Sequence, residues 1–293
     1  MKFNVTIVDP PDFKYAHFLF DQARYLLHGL ESLGHDACIT RGSVDASRTN
    51  VLINAHALKN PETVRAIVQS RAPYVVVQTE NLSLTEGVNR ALGEAHWRGC
   101  YLPLIQGARR IWDFSLENLE VLTEAGVAAD VLDWGYHPCL EEIHHKQTRD
   151  IDLLWYGSVT PHRHELLTAM AKRGFQVHAV FDPVALYRND LIARSRVVLA
   201  LKQSPSQRTT PAGRILYLVN NRAMVAGEAS FEPYWLNEYW FGYPTAELVD
   251  RLGELLMRDD LCALADERYE RLKTRPMTAF LGPLVERLAE TKA

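Results

Sequence analysis

Three strand-ending junctions between Ile151 and Glu228 concentrate residue types suited to holding an anion. At the first, the apolar run Ile151-Asp152-Leu153-Leu154-Trp155-Tyr156 stops at Gly157-Ser158 and passes through Thr160-Pro161 into a helix-like pattern that carries Arg163 and ends at Gly174. Glycine permits close backbone approach, and a helix N-terminus offers free N–H groups and a favourable dipole, so strand, tight turn and helix start together suit a phosphate. At the second, Arg196-Val197-Val198-Leu199-Ala200-Leu201 reads as a buried strand whose end presents Lys202, followed by a polar loop and a helix from about Pro211 containing Arg214. At the third, Ala223-Met224-Val225-Ala226 ends at Gly227-Glu228. The carboxyl ends of parallel strands border one crevice, so these junctions are expected to converge on it.

Charge is distributed in the same sense. Residues 149–222 hold 11 Lys and Arg against 5 Asp and Glu, whereas residues 1–146 hold 13 against 18. An anionic ligand needs such a local excess, with a solvated basic face as the alternative. There is no basic helix and no interleaved basic-aromatic run, so a duplex-binding surface is not indicated.

Other constellations carry less. His144-His145 and His162-x-His164 have the look of metal ligands, but no cysteine or carboxylate stands at a closed-site spacing and no H-E-x-x-H occurs, so no metal is expected. Tyr234 and Trp235, in a run with Tyr239-Trp240-Phe241 and Tyr243, offer aromatic faces that could stack a base or a sugar, or pack a core. A Rossmann G-x-G-x-x-G and a P-loop are both absent, which argues against dinucleotide redox chemistry and nucleotide triphosphate hydrolysis.

The elements that must position these residues are legible as an alternation. In the first half, strand-like Val5–Val8, Ala37–Ile39, Val51–Ile53, Tyr74–Val77, Arg110–Trp112 and Val131-Leu132 interleave with helix-like Phe18–Leu33, Pro61–Arg71 and Ser115–Ala125. The continuous apolar run Tyr74-Val75-Val76-Val77 is of the kind buried on both faces of a parallel sheet. The aperiodic stretch Trp134–Arg149 separates this block from a second one: Gln176–Val180, a helix Val184–Arg194, the strands already named, Trp240–Tyr243 and two helices from Ala246 to about Lys273. Pro276 breaks the pattern before a last helix to about Leu288. Such alternation implies open parallel sheets covered on both faces.

The chain of 293 residues, 47% hydrophobic, is long enough for a sizeable core and accommodates two domains more comfortably than one. No apolar run approaches the ~20 residues that cross a bilayer, and Met1-Lys2-Phe3-Asn4-Val5 enters a strand without a charged leader, so a cytoplasmic protein with no transmembrane segment is expected. Cys38, Cys100, Cys139 and Cys262 show no C-x-x-C spacing and give no disulfide framework.

The run Leu154-Trp155-Tyr156-Gly157-Ser158-Val159-Thr160-Pro161-His162-Arg163, together with Arg214–Glu228, resembles the donor half of bacterial GT-B glycosyltransferases of the group 1 or family 4-like branch. Tyr15-Ala16-His17, Gly34-His35-Asp36, Gln78-Thr79-Glu80-Asn81-Leu82 and Ile111-Trp112-Asp113-Phe114-Ser115 with Asn118 resemble the acceptor half of the same group. The order of these motifs, more than any one of them, carries the resemblance. It implies an α/β fold of two Rossmann-like parallel-sheet domains facing across a cleft: residues 1–140 for the acceptor, 148–275 for the nucleotide-sugar donor, and a helix over 276–293 that returns to the first domain.

The implied activity is transfer of a sugar from a nucleotide diphosphate donor, the co-substrate, to a hydroxyl of an unidentified acceptor, whether small molecule, glycan, protein or modified nucleic acid. Departure of the nucleoside diphosphate leaves charge on its pyrophosphate, which fixed cations and a helix N-terminus stabilise as it develops. Arg163, Lys202 and Arg214, with Gly157 and Ser158, are the candidates, and the resemblance places Glu228 near ribose or sugar hydroxyls. Relatives often carry a glutamate at the start of the preceding helix, where this chain has Pro211-Ala212-Gly213. An inverting transferase also needs a general base within reach of the acceptor, and His17 and Glu80 at strand-end loops are its candidates. Asp9 and Asp113 also end strand-like runs and rank behind them, and His137, in the aperiodic stretch beside the expected cleft, is a candidate for ligand contact. A binding protein that keeps the fold without turnover, or a sugar-nucleotide epimerase, would share these features.

Overall fold

The computed structural model describes residues 1–13, 16–82, 93–181, 183–207, 211–229 and 234–290, apart from the side chains of Ala16, His17 and Tyr234. The chain divides into two compact units: Met1–Gly135 with Met277–Ala293, and Tyr136–Pro276.

The first unit is built on a six-stranded sheet in the order β2-β1-β3-β4-β5-β6. Its strands are β1 (Lys2–Ile7), β2 (Asp36–Arg41), β3 (Thr49–Ile53), β4 (Tyr74–Gln78), β5 (Arg110–Asp113) and β6 (Ala129–Val131), and every pairing is parallel. All five residues of β3 and of β4 are buried, as strands covered on both faces require. The connections are α1 (Phe20–Ser32), α2 (Pro61–Gln69), a π turn at Trp97–Tyr101 leading into α3 (Leu102–Gln106), and α4 (Leu116–Glu124). Helix α2 starts where its sequence says it should: Asn60 accepts from the Glu62 N–H at 2.8 Å, and Pro61 takes the first helical position, whose N–H has no partner to lose.

The second unit carries a five-stranded parallel sheet in the order β11-β10-β9-β7-β8. Its elements are β7 (Ile151–Tyr156), α5 (Pro161–Lys172), β8 (Val177–Val180), α6 (Ala185–Ala193), β9 (Ser195–Ala200), α7 (Ala212–Asn220), β10 (Val225–Glu228), β11 (Phe241–Tyr243), α8 (Leu248–Leu256) and α9 (Leu261–Lys273). Strands β7, β9 and β10, which carry the three junctions, lie side by side. Gly227 is demanded by that packing: a Cβ there would sit 1.9 Å from the Ala200 carbonyl oxygen on β9.

The stretch that reads as a loop between the blocks is not a free tether. From Tyr136 onward it is bonded to the second unit: Asn220 Oδ1 accepts from the His137 N–H at 3.0 Å, Asn221 Oδ1 from the Glu142 and Ile143 N–H groups, and the Asn221 carbonyl meets His145 Nε2 at 2.7 Å. The last helix, α10 (Met277–Glu290), belongs to the first unit and packs on α1 where Gly29 leaves room; a Cβ at Gly29 would lie 2.9 Å from Leu281. Among the described residues no helix is long and apolar enough to cross a membrane.

Candidate functional site

In the second unit the three junctions are bonded into one edge. Strand β7 ends at Gly157, whose φ of +125° is a conformation that other residues rarely adopt, and Thr160 caps α5, its hydroxyl donating to the Gln203 carbonyl at 2.9 Å. Arg163, in the first turn of α5, donates from Nε to the Lys202 carbonyl at 2.9 Å, from one terminal nitrogen to both the carbonyl and hydroxyl of Ser158, and from the other to the Leu201 carbonyl. Four of its five donors are thereby spent on the loops. Burial and the neighbouring Arg214 bring its pKa down to about 10, against an opposing pull from Glu228.

Glu228 has an equally full set of partners. It is 2% exposed, its Oε1 meets His162 Nε2 and accepts from the Thr245 hydroxyl, both at 2.8 Å, and its Oε2 accepts from the Lys202 N–H at 2.9 Å. A buried carboxylate with three donors ties β10, the end of β9 and the start of α5 together.

Arg214 and Lys202 stand in contrast. The Arg214 guanidinium lies 4.5 Å over both the Trp155 and the Tyr156 rings, and Gly157 makes room for it, since a Cβ there would be 3.0 Å from its terminal nitrogen. No hydrogen bond or ion pair joins Arg214 to a described residue. Burial lowers its pKa, and Arg188 beside it adds to the effect. Lys202 is 9% exposed, and among the described residues its amine has no carboxylate partner either. Helix α7, which carries Arg214, begins after Pro211 without a side-chain cap and without an acidic residue in its first turn. Arg214, in the first turn of a helix without a side-chain cap, and Lys202, at the end of β9, are cations without a counter-ion among the described residues, a combination that suits an anion.

The sequence reading missed Arg188. It is 7% exposed, packs 4.5 Å over the Tyr217 ring and donates to the Tyr217 hydroxyl at 2.9 Å, extending the row of arginines on aromatic rings. The aromatic candidate Trp235 is already covered by Arg275 at 4.1 Å and by the edge of Tyr239; the side chain of Tyr234 lies outside the described residues. His137 is buried, with Nδ1 accepting from the Cys139 N–H at 3.2 Å.

In the first unit the carboxyl edge of the sheet gathers a different set. Glu80, after β4, has its Oε1 4.0 Å from Nε2 of His56, which follows β3. Burial pushes His56 down to about 4, with nearby His96 adding to the shift, so it is neutral at pH 7. Desolvation raises Glu80 towards about 7, although with 47% of the side chain exposed solvent offsets part of that rise. The Glu80 backbone is pinned: its carbonyl accepts from Gln78 Nε2 at 2.6 Å and from Asn118 Nδ2 at 2.8 Å. Asn118 also donates to Asp113, which is fully buried, accepts from the Ser115 N–H and leaves Oδ2 without a partner among the described residues. Burial lifts Asp113 to about 7 despite those two donors.

Of the remaining acceptor-side candidates, His17 lies in the single turn Ala16–Leu19 with its side chain outside the described residues, as is Tyr15. Asp9 pairs with Arg41. His56 was not singled out by sequence, because one histidine three residues beyond a strand has no distinguishing spacing; the left-handed Asn54 before it, at φ 69°, is what turns the chain and places it beside Glu80.

No family model matches the sequence, and no curated protein matches it. Solved structures do. TarM superposes with a TM-score of 0.58 at 8% identity over 83% of this chain, which spans about half (55%) of TarM's length. AviGT4, a glycosyltransferase involved in avilamycin A biosynthesis, gives 0.56 at 13% identity over 98% of this chain and 97% of its own. The T4 phage BGT, solved in complex with its UDP-glucose substrate, gives 0.54 at 10% identity over 99% and 97%. Two all-parallel α/β units and these matches give the chain the GT-B fold of glycosyltransferases.

Proposed function

We propose that the protein transfers a sugar from a nucleotide diphosphate donor, held by the second unit, to an acceptor hydroxyl presented by the first. The observation that carries the reading is Arg214, a guanidinium seated on Trp155 and Tyr156 against Gly157, with no anionic partner among the described residues. A charge partly withdrawn from water is costly unless paired, and a pyrophosphate at the uncapped start of α7 would supply the pair.

Lys202 and Arg214 then neutralise the charge that grows on the leaving diphosphate. Arg163 and Glu228, whose polar atoms are committed to the loops, hold Ser158, Lys202 and the start of α5 in place; they position the site rather than touch the donor. The Gly157-Ser158 turn brings backbone up to the phosphates. The reading assigns charge stabilisation to these side chains and calls on no metal ion.

On the acceptor side Glu80 is the base. Its pKa, raised from the ordinary carboxylate range, brings it closer to the operating pH and makes it a better proton acceptor. The neutral His56 faces it without neutralising it. As the C–O bond to the donor breaks and the acceptor oxygen bonds to the anomeric carbon, the acceptor proton passes to Glu80.

Titration with UDP and UMP tests the reading. A diphosphate site built on Lys202 and Arg214 is expected to bind UDP, or another nucleoside diphosphate, at least tenfold more tightly than the matching monophosphate, and to lose that preference in Arg214→Ala. Equal affinity for mono- and diphosphate across the nucleosides would remove the donor assignment.

A further inference from the structure

The first unit contains a recess of about 720 Å³ that the transfer chemistry above leaves unused. Its floor is the face of β1 and β3 that carries Thr6, Val8 and Leu52, and one wall is α2, through Ala66 and Ile67. Alternation along β1 sends Val5 and Ile7 to the opposite face, while Val8 and Leu52 share a core with Val64 of α2, so the recess is the uncovered continuation of that core. The rim, Pro10-Pro11-Asp12, is stiff because each proline fixes its own φ.

The chemistry of the lining is selective. Most of it is apolar, and the charged groups at the mouth are already balanced: Lys59 bonds Asp12 at 2.7 Å, and Asp9 pairs with Arg41. The unit as a whole holds 14 Lys and Arg against 18 Asp and Glu. Among the described residues an anion, and above all a nucleic acid, would meet no row of unpaired cations here. One polar group on the floor is unspent: the Thr6 hydroxyl is buried with no hydrogen-bond partner among the described residues. Phe13 and His56 link the rim of the recess to the proposed base, Glu80, which lies 4.0 Å from His56. Phe13, next to Asp12, meets the His56 ring edge-on at 6.5 Å.

We infer that this recess binds the acceptor, and that the acceptor is a neutral, largely apolar small molecule of several rings bearing the hydroxyl to be glycosylated. The volume lies within the range of pockets for such ligands, whose walls are mainly apolar with a few placed polar groups. The apolar body fills the space between β1 and α2, and the hydroxyl reaches the strand ends where Glu80 takes its proton. This rests on the transferase reading for the second unit.

The test uses N-phenyl-1-naphthylamine, a neutral apolar fluorophore, with Ala66→Phe and Thr63→Trp as fillers of the recess. Both positions are exposed on α2, so the variants fold. Wild type is expected to give saturable fluorescence enhancement, each variant at least a tenfold weaker one, and all three the same UDP affinity by calorimetry. Wild type that binds UDP without saturable enhancement, or variants that bind the fluorophore as well as wild type, would overturn the site while leaving the donor reading intact. Fluorophore binding without binding of any nucleoside diphosphate would overturn the assignment of its occupant as an acceptor. Displacement of the fluorophore by duplex DNA would overturn its chemical class.

Discussion

The two units share a sheet plan but arm their carboxyl edges in opposite ways. In the second, the buried carboxylate of Glu228 is consumed by His162, Thr245 and the Lys202 N–H, so among the described residues the cations Lys202 and Arg214 are left without a carboxylate partner. In the first, the cations Arg41 and Lys59 are consumed by Asp9 and Asp12, while the carboxyls of Glu80 and Asp113 meet no cation among the described residues and are raised, Asp113 to about 7 and the more exposed Glu80 in the same direction. The difference shows that the fold fixes where a site lies and that local pairing fixes what charge it presents. The proposed transfer uses the first arrangement to meet an anion and the second to take a proton.

Breaking either edge should give a distinct loss. Glu80→Gln keeps the shape and removes the base; transfer is expected to fall by roughly 10²- to 10⁴-fold, the usual worth of a general base, with nucleotide affinity unchanged. Wild-type turnover in that variant would end its assignment. In wild type the acid limb of the rate profile is expected between pH 4.5 and about 7, as Glu80 ionises. Arg214→Ala attacks the other edge and should weaken nucleoside diphosphate binding by about 1.5–3 kcal/mol, the order of a charge-assisted hydrogen bond. Unchanged affinity in a folded variant would take Arg214 out of the site.

Glu228→Gln sharpens the contrast by testing a strut. One of its two acceptors becomes a donor facing donors, so stability in urea is expected to drop by about 1–3 kcal/mol, with weaker nucleotide binding as a consequence. Loss of binding at full stability would instead place Glu228 on the donor. The smallest effect concerns Asp113→Asn. Between pH 3.8 and about 7 the unfolded chain releases a proton that the folded Asp113 retains, so wild-type stability declines as pH rises through that window relative to the asparagine variant. Parallel stability curves for the two proteins would show that Asp113 does not titrate in this way.

Much of the architecture was legible because its signals are local. Apolar runs ending in Gly157-Ser158, Lys202 and Gly227-Glu228 mark β7, β9 and β10, and in the structure those strands are neighbours. What the residues do at the strand ends was legible only in part, because pairing is decided by the fold. Arg163 and Arg214 are the same residue type at the start of two helices, yet one spends its donors on carbonyls 38 and 39 residues away and the other bonds none among the described residues. Glu228 is committed by His162, 66 residues earlier, and by Thr245, 17 later, separations that no motif records. His56 becomes visible only when β3 and β4 are laid side by side.

The central claim is that the second unit holds a nucleotide sugar and the protein transfers the sugar. Thermal shift across UDP-, GDP-, dTDP- and CMP-sugars, followed by mass spectrometry of the products, measures it most directly. Selective stabilisation by one donor with slow release of the matching nucleotide and free sugar is expected. Silence of the folded protein across the whole panel would contradict it.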